Sequence, residues 1–380
     1  MASEFSLADR ALLGALFPFV ALRFLFNFAF PAAKGLHWRQ RMALALMQAQ
    51  RTTIPRGLMH RSLRRAPTGV AVRDYCAKHD IPVKVVTLDP SPTEREVGPP
   101  PTLHFVSPPS PRSAGPTLMY FHGGGYVNPI LADGHVPFAL SCATASGARE
   151  VAFVEYALAP EHRYPVQLVQ AVASLRYLLE ELKIRPSEII VAGDSAGGNL
   201  VGALLAHLAK PSPYARPLDL GGDPLRAALF VSPWAVLGVE QESFQKNDGK
   251  DYVDKGQAID FKEDWRLNEE EVWANIGGVT DAEEVWSRVS SRDSNNLVKK
   301  VMVVAGTAEV LLDSCRIFAR LVGAETIVGG RGTDWSVLDE RPFVFVECEG
   351  EVHVQAAIDC AMGYDGGAMK SSILRWLEWC

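Results

Sequence analysis

The sequence is poor in cysteine: six in 380 residues, at Cys76, Cys142, Cys315, Cys348, Cys360 and Cys380. They are scattered and form no Cys-x-x-Cys pair, which excludes a disulfide scaffold and leaves a zinc or redox motif without support. An excess of positive charge is missing as well. Lys and Arg number 38 against 44 Asp and Glu, for a net charge of −6, so there is no dominant basic face and no nucleic-acid partner is expected. There is no Asn-x-Ser/Thr site, no phosphate-loop ending of the Gly-Lys-Ser/Thr kind, and no internal repeat. What remains is ample apolar content, 48% against 22% charged, which rules out low-complexity disorder and supports a substantial core.

One long apolar run is present. From Ala11 to Phe30 only Gly14, Pro18, Arg23 and Asn27 interrupt it, and Pro31 ends it. A spanning helix needs about 20 apolar residues, so the run reaches the minimum. Pro18 and a central Arg23 count against a span, and Glu4 and Asp9 against a cleaved secretory leader. Leu12, Leu13, Leu16, Phe17, Val20 and Phe24 recur at helical spacing. Two readings stay open: a helix packed on the body as part of a cap, or membrane association through residues 11–30. In the second, Lys34, Arg39, Arg41 and Arg51 follow the run while Arg10 stands almost alone before it, which places the body in the cytosol. A cytoplasmic protein is expected in either case.

Residues 1–79 read as a helical N-terminal segment contributing to the cap, and 80–380 as the main domain. There, short apolar runs alternate with helical patterns. Eight strands are predicted: Val83–Leu88, Leu103–Val106, Leu118–Phe121, Val151–Tyr156, Ile189–Ala192, Ala227–Val231, Val301–Val304 and Phe343–Val346. The first two, joined by a Pro-rich connector too short for a helical crossover, pair antiparallel. Helices follow at Val166–Leu182, Ala196–Ala209, Leu311–Val322 and near Met369–Trp379. The pattern predicts an α/β fold with an eight-stranded, mostly parallel sheet, helices on both faces and ligands at the carboxyl ends of the strands. Residues 236–298 lack strand patterns, carry helical sequence such as Lys262–Trp273, and read as a cap insertion. Residues 323–341 read as a long surface loop.

Two glycine motifs carry the chemistry. Gly193-Asp194-Ser195-Ala196-Gly197 follows a buried strand and opens an apolar helix, the context in which a serine is thrust out above a sheet. The new helix's N-terminus aims free N–H groups at an anion formed beside Ser195, Ala196 first among them. His122-Gly123-Gly124-Gly125-Tyr126 follows a second strand end, and its glycines present bare backbone N–H groups. A fixed donor to an oxyanion is worth about 3–4 kcal/mol, so Gly123, Gly124, Gly125 and Ala196 form a candidate oxyanion hole.

Together with Gly198-Asn199 and the intervening Tyr156-Ala157-Leu158-Ala159-Pro160-Glu161 with Pro165, these motifs resemble the hormonesensitive-lipase branch of the α/β-hydrolases, over roughly residues 80–380. Members similar to arylacetamide deacetylase and steryl acetyl hydrolase work on apolar esters. The resemblance implies an α/β-hydrolase fold with Ser195 as nucleophile and chain order Ser, acid, His. Of the histidines after Ser195, His207 lies within the helix that follows it, whereas His353 follows the last predicted strand, where the base is required. The family's acidic position falls on Glu309, a methylene longer than the usual Asp, with Asp313 at a second, structural position. His122 and Asp194 are implied to brace the loops, and Glu161 to be a buried structural carboxylate. Tyr126 and Trp234 are candidates to line the substrate cavity.

The expectation is a serine carboxylesterase or deacetylase, with catalytic residues Ser195, Glu309 and His353, acting on a hydrophobic small-molecule ester with neither metal nor organic cofactor. Two readings compete: acyl transfer or lactonisation by the same triad in a biosynthetic pathway such as secondary metabolism, and a non-catalytic ligand receptor, which in plant gibberellin receptors goes with loss of the catalytic histidine. The oligomeric state, a homodimer included, is open.

Overall fold

A computed structural model describes residues 5–64, 66–89, 92–112, 114–290 and 296–380, the side chains of Pro92 and Thr93 aside. Glu4, two residues of the Pro-rich connector (90 and 91) and residues 291–295 of the cap insertion lie outside the described residues. Apolar segments rich in β-branched residues form nine strands: β1 Val83–Thr87, β2 Thr102–Val106, β3 Thr117–Phe121, β4 Glu150–Glu155, β5 Ile189–Asp194, β6 Ala227–Val231, β7 Val301–Gly306, β8 Glu325–Gly329 and β9 Phe343–Cys348. Their order is β1-β2-β4-β3-β5-β6-β7-β9-β8. β1 and β2 pair antiparallel, as do β2 and β4, and the remaining neighbours are parallel.

The central strands are buried on both faces and feed two cores by alternation. Met119, Phe121, Ile189 and Val191 face one core with Leu200 and Leu204 of the helix Ala196–Ala209. Leu118, Tyr120, Ile190 and Ala192 face the other, with Phe138 of the helix Ala132–Ala145 and Ile373 and Trp376 of the closing helix Ala368–Leu377. Each of the eight expected strands is present. The ninth, β8, corrects the reading of 323–341 as a loop: it is an edge strand whose side chains are mostly exposed, so it lacks the apolar alternation that announces a strand. The short helix Trp335–Leu338 lies in the same stretch.

The cap insertion holds helices Glu242–Lys246, Lys255–Trp265 and Ala282–Val289. The helix expected over Lys262–Trp273 instead begins at Lys255, where Asp254 caps it by accepting the Gln257 N–H, and stops at Trp265, because Arg266 turns left-handed at φ 50°. The helix Trp38–Thr53 joins the N-terminal segment to this insertion. Gln48 bonds the backbone of 249–251, and Arg51 pairs with Asp254.

The first helix, Leu7–Ala29, departs from the packed alternative. Only Asp9 and Val20 are buried in it, while Phe17, Phe19, Leu22, Leu25 and Phe26 are exposed. By length and composition it is apolar enough to cross a membrane. It touches the body through one side, and both its ends are held: Asp9 by Arg61 at 2.6 Å, and the Phe28 carbonyl by Arg41, also at 2.6 Å.

Candidate active site

At the carboxyl end of β5 the chain must turn from strand to helix within one residue. Ser195 makes that turn at φ 53°, ψ −118°, a conformation costing about 1–3 kcal/mol for a residue with a side chain. Its neighbours hold it there: the Ser195 N–H donates to the Val231 carbonyl (2.9 Å), and the Ser195 carbonyl accepts from the N–H groups of Trp234 and Asn199 (each 3.0 Å). Gly197 permits the close passage of the two glycine loops, since a Cβ there would overlap the Phe121 carbonyl and stand 2.6 Å from that of His122. The result is a partly buried serine above the sheet.

His353 comes from the loop after β9, and its Nε2 lies 2.9 Å from Ser195 Oγ, within reach for a proton transfer. Glu309 comes from the loop after β7. It is fully buried, and its Oε2 lies 3.7 Å from His353 Nδ1. That is an ion-pair distance rather than a hydrogen bond, and Nδ1 has no hydrogen-bond partner among the described residues. The carboxylate is oriented instead by Ser232, whose hydroxyl donates to Oε2 at 2.6 Å, and by the Cys315 thiol at 3.5 Å from Oε1. Burial would lower the imidazole's pKa, but Glu309, then Asp251 and Asp194, outweigh it and hold it above the ordinary histidine value.

Facing the serine, the glycine loop bends back: the Gly124 carbonyl accepts from Val127 and Asn128. Among the described residues the N–H groups of Gly124, Gly125 and Ala196 have no backbone partner, which leaves them free for an external oxygen, with Gly123 at the turn. Gly125 sits at φ +64°, and a Cβ on it would lie 2.7 Å from Phe261 Cε2. The cap helix Lys255–Trp265 therefore lies directly over this loop.

The bracing groups are resolved into two networks. Asp194 accepts from the Tyr120 hydroxyl (2.6 Å) and faces His135 Nε2 at 3.2 Å. Burial works against its charge, yet His135 and Tyr120 hold its carboxyl below the usual range. His122 is pushed down to about 4 by burial and is therefore neutral, its Nδ1 donating to the Gly123 carbonyl (2.6 Å) and its Nε2 accepting from Thr68 (3.0 Å). Tyr156 stacks on its ring and donates to its carbonyl.

His207, near the end of the helix Ala196–Ala209, bonds Ser212 and the Arg216 carbonyl of the stretch that follows the helix and makes no bond to the nucleophile. Asp313 accepts from the Ser243 N–H and pairs with Arg316, so it is not the carboxylate beside His353. Glu161 is a correction: it is exposed on the surface, not buried, and is chelated by Arg64, which also holds the carbonyls of Ala159 and Val127. Tyr126 is fully buried, with its hydroxyl on Asn199 and its ring stacked 3.9 Å from Trp265. Trp234 is buried beside Trp265, its indole N–H without a partner among the described residues.

Four residues near the site escaped the sequence reading: Ser232, Asp251, Tyr252 and Phe261. Asp251, buried, and Tyr252, whose ring centre is 5.9 Å from that of His353, come from the cap insertion. They lie about a hundred positions from their partners, and no local motif announces them. Ser232 offered one signal, a serine at the end of the strand next to the nucleophile's.

The model of a family described by the α/β-hydrolase fold matches residues 118–331. Carboxylesterase NlhH of Mycobacterium tuberculosis is 39% identical over 151 residues, 39% of this chain and 44% of that protein. An acetyl-hydrolase of Streptomyces hygroscopicus is 36% identical over 143 residues, 37% and 43% of the two chains. The chain thus spans under half the length of these curated relatives. Among solved structures, an esterase of the bacterial hormone-sensitive lipase family superposes with a TM-score of 0.64 at 22% identity, over 90% of this chain and 97% of that one. A thermostable esterase of Pseudomonas putida gives 0.65 at 18% identity, over 91% and 98%. At such identities these two likenesses speak for the fold.

Proposed function

The chain belongs to the α/β-hydrolase family, and from that premise we propose that it is a serine ester hydrolase acting through an acyl-enzyme. The observation that carries the reading is the 2.9 Å approach of His353 Nε2 to Ser195 Oγ, with the Glu309 carboxylate behind the imidazole. His353 takes the hydroxyl proton as Oγ attacks the ester carbonyl, and the imidazolium so formed is stabilised by Glu309. The N–H groups of Gly124, Gly125 and Ala196 receive the negative oxygen. His353 then passes the proton to the departing alcohol, and water, deprotonated by the same imidazole, releases the acid. A receptor on a spent scaffold needs no such placed base.

A short acyl group and an apolar alcohol suit the surroundings. Phe261 lies over the oxyanion loop and Tyr252 beside the base, so that two aromatic rings border the place where an ester would sit. An acetyl-hydrolase and an ethyl acetate hydrolase stand among the relatives. The test is hydrolysis of p-nitrophenyl esters from acetate to palmitate. Acetate is expected to be among the best substrates, and Ser195→Ala to abolish turnover; retained turnover in that variant refutes the mechanism. Product analysis with added alcohol separates hydrolysis from acyl transfer.

We also propose that the helix Leu7–Ala29 attaches the body to a membrane, lying in the interface on the cytosolic side. Its 23 residues extend about 35 Å. Contacts at both of its ends favour an in-plane placement over a crossing, since a span would pull Asp9 away from Arg61. Exposed Arg10 and Lys34 at its two ends suit the anionic cytoplasmic leaflet.

A further inference from the structure

Asp251 has no part in the proton relay, yet it is fully buried on the cap segment between two catalytic loops. Its Oδ2 accepts the N–H of Val310, the residue next to Glu309, at 3.0 Å. Its Oδ1 accepts the N–H of His353 itself at 3.4 Å, and that of Tyr252 at 2.7 Å. One carboxylate therefore ties the acid's loop to the base's loop. The same cap segment grips the acid loop again through Asn247, which donates to the carbonyls of Thr307 (3.1 Å) and Glu309 (2.8 Å). On its other side, Gln48 of the helix Trp38–Thr53 donates to the carbonyls of Gly249, Lys250 and Asp251 at 2.9, 3.2 and 3.3 Å.

A carboxylate is costly here. Burial, with Glu309 close by, pushes Asp251 up to about 6 despite the opposing pull of His353. Three backbone donors arriving on two oxygens explain why an acceptor-only group is used, since an amide would turn its own N–H groups toward one of them. The charge also faces the imidazole. Among the described residues, the charged groups around this pair are Glu309 and Asp194 on the His353 side and, on the cap side, Arg51 with Asp248 beside it, the Tyr252 hydroxyl being neutral.

We propose, resting on the ester-hydrolase reading, that Asp251 is a positioning residue of the triad: its carboxylate sets the spacing of the Glu309 and His353 loops, its charge adds to that of Glu309 in supporting the imidazolium, and Gln48 holds it in place. The cap and the N-terminal helical segment thereby become part of the catalytic geometry.

The full chain is assayed with p-nitrophenyl acetate, and kcat and KM are followed from pH 5 to 9. Asp251→Asn is expected to lower kcat about 10- to 100-fold with KM nearly unchanged, and to move the acid limb down by about half a pH unit, because a negative neighbour of the base is gone. Gln48→Leu, which leaves every charge in place, is expected to lower kcat about 3- to 10-fold with the acid limb unmoved. Wild-type kcat in Asp251→Asn, or a lowered kcat with an unmoved acid limb, overturns the proposal. Should that variant not fold, wild-type kcat in Gln48→Leu overturns it. Absence of any Ser195-dependent hydrolysis in the wild type would instead defeat the ester-hydrolase reading and this proposal with it.

Discussion

Replacing Glu309 by Gln removes one charge from the interior and almost nothing else. The amide has the carboxylate's shape, and its oxygen can keep the Ser232 hydroxyl bond that orients the group at 2.6 Å. What disappears is the attraction across the 3.7 Å to His353 Nδ1. With an effective dielectric constant near 20, two unit charges at that separation attract by about 4 kcal/mol. This attraction is absent while the imidazole is neutral and fully present when it holds the serine's proton, so its loss falls on the transition state. About 4 kcal/mol corresponds to roughly three decades in kcat. The pH profile moves too, and its sign is determined. Glu309 raises the His353 pKa, and the active base is the neutral form. Without the carboxylate the imidazole loses its proton at lower pH, so the acid limb of kcat/KM shifts downward while the plateau falls. Steady-state hydrolysis of p-nitrophenyl acetate from pH 5 to 9, with a thermal melt to confirm folding, reads both effects. A loss under tenfold, or a fallen plateau with an unmoved limb, refutes the assignment of Glu309 as the acid.

Gly125→Ala puts a methyl group into the Phe261 ring and a side chain at φ +64°, so it should displace the oxyanion loop and lower kcat by about tenfold or more. Adding Phe261→Ala should restore part of that loss, and identical rates for the single and double variants would show that the ring is not the obstacle. The full chain should float with vesicles containing anionic lipid and be released by alkaline carbonate, as an in-plane helix is and a spanning one is not. The double substitution Phe19→Asp with Phe26→Asp should abolish flotation, and unaffected flotation would remove this helix from membrane binding.

Order and local pattern carried much of this protein. A glycine-flanked serine between a buried strand and an apolar helix points to a sharp strand-to-helix turn, and the glycine run after β3 to bare backbone, because steric limits on φ and ψ act within a few residues. The central strands were legible for the same reason: burial on both faces demands an unbroken apolar run. Where burial is partial the pattern fades, and so the edge strand β8 went unseen. The helix Ala132–Ala145, carrying Gly134 and Pro137 inside it, went unseen because these residues break helical periodicity. Tertiary structure alone decided which distant groups meet. Ser232 reaches Glu309 across 77 positions and Asp251 reaches His353 across 102. A hydrogen bond between residues so far apart depends on how the sheet and cap pack, and no local preference of the chain encodes it. The same holds for the first helix, whose apolar residues fit a buried face or a bilayer equally well. The packing of the body covers one side of that helix and leaves the rest bare, a difference that no local pattern in the chain announces.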